Sequence, residues 1–204
     1  MTFLSVYQTI YVTVGLIAIV LAIFLIVFLF YHNFYAKKHI RELTFLKLSR
    51  ICEHNDYLLL NEYEIAIDDK NVGVIDHIVI SDKYIILIND FAISGVLSGD
   101  YQDEEFYNTK KGGTEVVANP INYNINLAKR LALFNDLKQS FIKGLVVINN
   151  DSLIDVSGMD EQFKIIKRKD LSKTIRTFDK ENVKKLNEES VVKFINYLND
   201  SKKN

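Results

Sequence analysis

At 204 residues with a formal charge of −1, the chain holds one ordinary domain plus an appendage. Its lone cysteine, Cys52, excludes an internal disulfide framework and suits a reducing compartment. No His/Cys cluster has zinc-ligand spacing, and one proline among few glycines argues against linkers and low complexity.

The appendage comes first. Met1 to Ala36 contains no Asp, Glu, Lys or Arg, and Ile10 to Tyr31 is almost continuously apolar. A bilayer core needs roughly 20 apolar residues in a helix, and this run meets that length. A signal peptide would need a basic start, a shorter apolar core and a small-residue cleavage site, none of which is present. Tyr31, Phe34 and Tyr35 suit the interfacial belt of a spanning helix. Lys37, Lys38, Arg41, Lys47 and Arg50 follow the run, with only Glu42 against them. This asymmetry predicts a single-pass cell-membrane protein with its N-terminus outside and residues 37–204 in the cytoplasm. The same cations could touch anionic headgroups. Gly15, Ala18 and Ala22, at i, i+3 and i+7, could let two such helices approach closely.

The pattern then predicts a helix over 35–54, with Leu43, Phe45, Leu46, Leu48 and Ile51 in its apolar stripe. Cys52 falls within it as a small apolar filler. A first strand runs from Tyr57 to Ile67, and Asp68 to Asn71 make a turn. A second strand covers Val72–Ile80 and a third Tyr84–Ile88. Ile93–Leu97 reads as a short strand and Gly99–Gly113 as a polar loop or loose hairpin. A helix opens at Asn119-Pro120, because proline tolerates the first helical turn. Its apolar face is Ile121, Ile125, Leu127, Ala128, Leu131 and Leu133. Ile142–Ile148 is a buried strand and Phe163–Ile166 another. Asp170 caps a short helix, and Asp179 or Glu181 opens a last one to about Leu198. Early antiparallel strands followed by a helix-linked strand make an α/β fold, a mixed sheet flanked by helices.

Charge is uneven. Residues 51–110 carry 13 acids against 3 lysines, whereas residues 161–204 carry 12 Lys/Arg against 7 acids. Neutralising phosphates needs a basic face, so the acidic stretch weighs against tight DNA binding there. Lys164, Lys167, Arg168 and Lys169 could contact phosphate, or form a solvated edge.

These segments, in this order, resemble the nuclease-related domain family, NERD, of the PD-(D/E)XK nuclease superfamily. Ile75-Asp76-His77-Ile78-Val79-Ile80 resembles its IDHIVV strand. Tyr84–Gly95 resembles its GIFVIEVKNYSG segment, with Ser94-Gly95 retained, and Phe106 falls near a usual Trp. Asn119-Pro120 resembles the start of its NPxxQN helix, with Tyr123 at the Gln position and Asn124 retained. Gly144–Asn149 resembles its late strand. The resemblance covers nearly all of residues 38–199 and implies a restriction-endonuclease-like fold.

For active members, the resemblance implies an Asp and a Glu on adjacent strands holding Mg²⁺. A Lys two residues beyond the Glu serves the attacking water, and a helix Glu often assists. Mg²⁺ favours hard, charged oxygens, and strand positions two apart share a face. Carried over, Asp76 matches the first acid and Glu42 the helix acid. Asn89 stands at the second acid and Phe91 at the lysine. Asn89 brings a carbonyl without charge, and Phe91 can do no proton chemistry. Asp90, between them, should point to the opposite face.

The leading expectation is therefore a catalytically inactive NERD-like domain on a membrane anchor. It needs no cofactor and acts through a protein partner or weak nucleic-acid contact. The competing, less favoured reading takes Asp76 as a strand-end acid paired with a nearby base, and His77 as an ordinary polar neighbour. One rival is a working Mg²⁺ nuclease with relocated residues, built on Asp76, Glu42 or Glu62 and a lysine such as Lys83 or Lys110. Another gives the anchor itself the assembly role.

Overall fold

The computed structural model describes residues 3–66 and 72–201. It comprises two units, residues 1–38 and 39–204. The first is helix α1, Phe3–Lys38. Within it Tyr11–Phe28 has a mean hydropathy of 2.9, and none of that window is buried. Helical backbone satisfies its own polar groups, so this is the form an apolar segment needs to cross lipid. The interfacial aromatics expected at 31–35 and the side chains of Lys37 and Lys38 lie outside the described side chains.

The second unit runs α2 (Ile40–Asn55), β1 (Leu58–Ala66), β2 (Val72–Ile80), β3 (Ile85–Phe91), β4 (Val96–Asp100), β5 (Glu105–Lys110) and β6 (Gly113–Ala118). It continues with α3 (Pro120–Phe134), β7 (Ile142–Ile148), β8 (Leu153–Ser157), β9 (Phe163–Lys167), α4 (Leu171–Lys180) and α5 (Glu188–Ser201). The main sheet has the order β1-β2-β3-β7-β9. Its first pairs are antiparallel, and β3-β7 and β7-β9 are parallel. A second sheet, β6-β5-β4-β8, pairs β4 with β8 in parallel and the rest antiparallel. The fold is mixed α/β, with two mixed sheets flanked by helices.

Helices cover both faces of the main sheet, so β7 is buried along its whole length and reads as one apolar run. On one face Ile78, Leu87, Val146 and Ile165 meet α3 and α5 through Leu127, Leu131, Phe194 and Leu198. On the other, Val79, Ile86, Leu145 and Val147 meet α2 and α4 through Leu48, Ile51, Ile175 and Phe178. Leu97 and Phe106 bring the second sheet into the α3/α5 core, so the aromatic expected at position 106 is a core residue. Cys52 is the expected buried filler, and burial pushes its thiol up to about 11.

Local chemistry sets the element boundaries. Asn119 caps α3 by accepting from Ile121 N at 2.8 Å, with Pro120 at the first helical position. Gly95 sits at φ +102°, and a Cβ there would lie 2.2 Å from the Thr109 carbonyl oxygen, which accounts for the Ser94-Gly95 dipeptide.

Several expectations are corrected. β3 extends through Asn89 and Asp90 to Phe91, because the parallel partner β7 pairs it that far. Of the two readings for Gly99–Gly113, loop or loose hairpin, the structure has a hairpin, which runs on through β6 to Ala118; β8 had no clear signal. Strand β1 is described over Leu58–Ala66, and Ile67 with the turn read over 68–71 lies outside the described residues. Leu133, assigned to the apolar face of α3, is 79% exposed. The last helix opens at Glu188 rather than Asp179 or Glu181. The chain before it is tied down instead: Lys83 Nζ donates to the carbonyls of Asp179 and Glu181, and Leu186 N donates to Asp82 O at 2.7 Å.

Candidate functional site

The strands β2 and β3 part company where the chemistry should be. Their ladder runs from Ile80↔Ile85 to His77↔Ile88, so the next positions, Asp76 and Asn89, face each other at the fork. The backbone of Val74, beyond the fork, is satisfied by side chains. Tyr123 Oη accepts from Val74 N at 2.6 Å and lies 2.9 Å from Val74 O, and Asn89 Nδ2 donates to the same carbonyl at 2.8 Å. Beyond the fork β3 no longer supplies partners to this backbone, and Asn89 and Tyr123 do so instead. Asn89 Oδ1 is buried without a hydrogen-bond partner among the described residues.

The alternation of β1 and β2 also slips by one here. Leu60 and Tyr63, three apart, both face the α3/α5 core, and so do Ile75 and Ile78. Between them lie Glu62, at φ +56°, and Asp76, which the β1–β2 register places opposite it. A non-glycine residue in left-handed backbone is uncommon and is found disproportionately at functional sites.

Asp76 is buried, and both its oxygens are engaged. Arg41 Nη2 approaches Oδ1 at 2.6 Å, and Asp90 N donates to Oδ2 at 2.8 Å. Arg41 also lies 3.9 Å from Glu62. Burial raises the Asp76 carboxyl above the usual range, against the downward pull of the Asp90 N–H and Arg41. Asp76 is thus paired with a base, as one reading of the sequence allowed, but it lies in the middle of β2 rather than at a strand end.

Asp90 points to the α2 side, as alternation requires, away from Asn89 and Phe91. Thr44 donates to its Oδ1 at 2.5 Å, and His77 Nε2 lies 3.0 Å from its Oδ2. His77 Nδ1 lies 2.7 Å from Asn61 Oδ1, and Phe45 stacks on the ring with centroids 6.4 Å apart. His77 and Asp90 side chains are each 2% exposed. His77 is thus no ordinary polar neighbour but the centre of a buried network. A cavity of about 240 Å³ opens beside it, lined by Arg41, Glu42, Phe45, Asn61, Glu62 and His77.

Of the other candidates, Glu62 shares Arg41 with Asp76, and the rest have partners of their own. Glu42 sits on the cavity rim with its side chain 63% exposed, 3.0 Å from His39 Nδ1. Phe91 packs against the α3/α5 core. Glu62 and Glu64 are exposed. Lys83 is bound to the segment before α5, and Lys110 pairs with Glu115 in the β5–β6 hairpin. Among the described residues, no group of three or more His, Cys, Asp or Glu could hold a metal ion. The donors at the fork do not suit Mg²⁺. They offer one carboxylate already bound to a guanidinium and an N–H, one amide and one phenyl ring.

Sequence reading passed over Arg41, Thr44, Asn61 and the His77–Asp90 pair. A signal existed: Arg41, Thr44 and Phe45 are spaced i, i+3, i+4, one face of α2.

A family model described as nuclease-related domain, NERD, matches residues 37–149. No curated protein and no solved structure matches the chain.

Proposed function

Since the chain belongs to the nuclease-related domain (NERD) family, we propose that its domain is a catalytically inactive member, held in the cytoplasm by a single N-terminal span and serving as a binding module. One observation carries this reading. The cation beside Asp76 is the protein's own Arg41, and the two positions that should complete a metal-and-lysine site are Asn89 and Phe91. A guanidinium fixed on the carboxylate supplies the charge that a divalent ion would otherwise bring. Asn89 has a structural task in the ladder, and Phe91 in the core. Such a domain needs no cofactor and works through surface contact with a protein partner, nucleic acid being a weaker ligand. The membrane reading is supported by the length and hydropathy of α1 and by the basic flank that follows it.

The test is a calorimetric titration of Mg²⁺ and Mn²⁺ into the full chain in lipid nanodiscs, with Asp76→Ala as control. Supercoiled and single-stranded DNA are incubated in parallel. The expected result is no Asp76-dependent heat and intact DNA. Metal binding and cleavage that both vanish in the control would establish a working nuclease instead.

A further inference from the structure

The outward face of α4 is a basic stripe. Leu171, Ile175 and Phe178 turn inward to the core shared with α2. Lys173, Arg176 and Lys180 therefore fall on the opposite side of the helix, and all three are exposed. Lys169, just before α4, is exposed, as is Arg50 of the neighbouring α2. None of these five cations forms an ion pair with a described residue. Of the acids of α4 and its N-cap, Asp179 accepts from the Tyr57 hydroxyl, and Asp170 is half-buried. On α2 the exposed acids are Glu42, held by His39, and Glu53. The domain's acidic run, Asp100, Asp103, Glu104 and Glu105, belongs to the second sheet.

We infer that this face, Lys169, Lys173, Arg176 and Lys180 with Arg50, is a docking surface for an anionic lipid headgroup layer. The inference rests on the membrane-anchor reading above. Two arguments choose lipid as the occupant. One is charge: unpaired, exposed cations complement acidic headgroups, and the attraction reaches about a Debye length, ~8 Å at physiological salt. The other is tether length. Only residues 29–39 separate the apolar window ending at Phe28 from the start of α2 at Ile40. Even fully extended, that stretch spans no more than ~40 Å. The domain cannot leave the neighbourhood of headgroups, so the surface acts at high effective concentration without needing high intrinsic affinity.

The experiment places a donor fluorophore at Thr177→Cys, on the exposed side of α4; Cys52, 4% exposed, stays unlabelled in the folded chain. The full chain is reconstituted into nanodiscs of phosphatidylcholine alone, or with added phosphatidylglycerol, each carrying a headgroup acceptor. Energy transfer is expected to rise about two-fold in the anionic discs and to fall back when salt screens the charges. Lys173→Glu/Arg176→Glu/Lys180→Glu should abolish the rise. Lys173→Gln/Arg176→Gln/Lys180→Gln should reduce it, and serves if the reversal does not fold. Incorporation into both discs with equal transfer overturns the lipid surface but leaves the anchor. Failure to co-elute with either disc overturns the anchor and, with it, this tethered surface. Equal transfer together with a duplex-DNA gel shift that the charge reversal removes would assign the stripe to nucleic acid instead.

Discussion

Arg41 Nη2 stands 2.6 Å from Asp76 Oδ1, joining a residue on the first turn of α2 to a buried carboxylate at the β2–β3 fork. The guanidinium neutralises the one acid that the family's metal site would start from. Restoring the missing residues should therefore not be enough. Asn89→Glu/Phe91→Lys in the parent chain is expected to bind no Mn²⁺, whereas adding Arg41→Ala to that pair should produce binding measurable by calorimetry. Equal binding by the double and triple variants would show that Arg41 does not hold the cation's place.

Burial raises the folded-state carboxyl of Asp76 above its usual range, despite Arg41. The folded protein then holds that proton more tightly than the unfolded chain. Ionising Asp76 costs stability, and the cost fades as pH falls through the raised value. Asp76→Asn keeps an acceptor for Asp90 N and removes the buried charge. Arg41, with its side chain 53% exposed, loses little when unpaired. The variant should be at least as stable as the parent at neutral pH, by up to ~1 kcal/mol, with the advantage shrinking toward acid. Thermal unfolding across pH checks this, and a lower Tm at neutral pH would count against it.

His77 and Asp90, each with a side chain 2% exposed, share a 3.0 Å contact. His77→Ala leaves Asp90 with Thr44 as its remaining side-chain partner and should cost about 1–3 kcal/mol, the usual penalty when a buried hydrogen-bonding group loses a partner. His77→Ala/Asp90→Ala should cost less than the two single changes added together, because the second change removes the buried acceptor the first one strands. Denaturant unfolding of all three variants measures the coupling. Strict additivity would mean that the contact contributes nothing.

Lys143 is a buried lysine with a structural task. Its Nζ lies 4.6 Å from the Tyr84 ring centre, 4.9 Å from that of Phe178 and 3.1 Å from Glu181 Oε2. Burial works against the Glu181 carboxylate, yet the Tyr84 hydroxyl and Lys143 hold it below the usual range. Lys143→Met retains the apolar stem and removes the clamp on residues 181–187. Hydrogen exchange there should accelerate while β3 and β7 stay protected. Unchanged exchange in 181–187 would place the clamp in the side-chain bonds of Lys83 and Tyr84 and the backbone bond from Leu186 to Asp82 instead.

The apolar span and the order of the helices and the main-sheet strands were legible in the sequence, as was the lack of a carboxylate at Asn89 and of a lysine at Phe91. They rest on local facts: run length, periodicities of two and 3.6, a cap followed by proline, and residue types that either carry charge or do not. Alternation alone placed Asp90 on the face opposite Asn89. The second sheet was less legible, since β6 and β8 are largely exposed edge strands that need no apolar pattern. What tertiary structure alone decided was the company of the buried acids. Asp76 took Arg41 from 35 positions earlier, and Asp90 took Thr44 and His77. A desolvated carboxylate must find a donor or cation, but sequence spacing does not say which one the packing of α2 brings within reach.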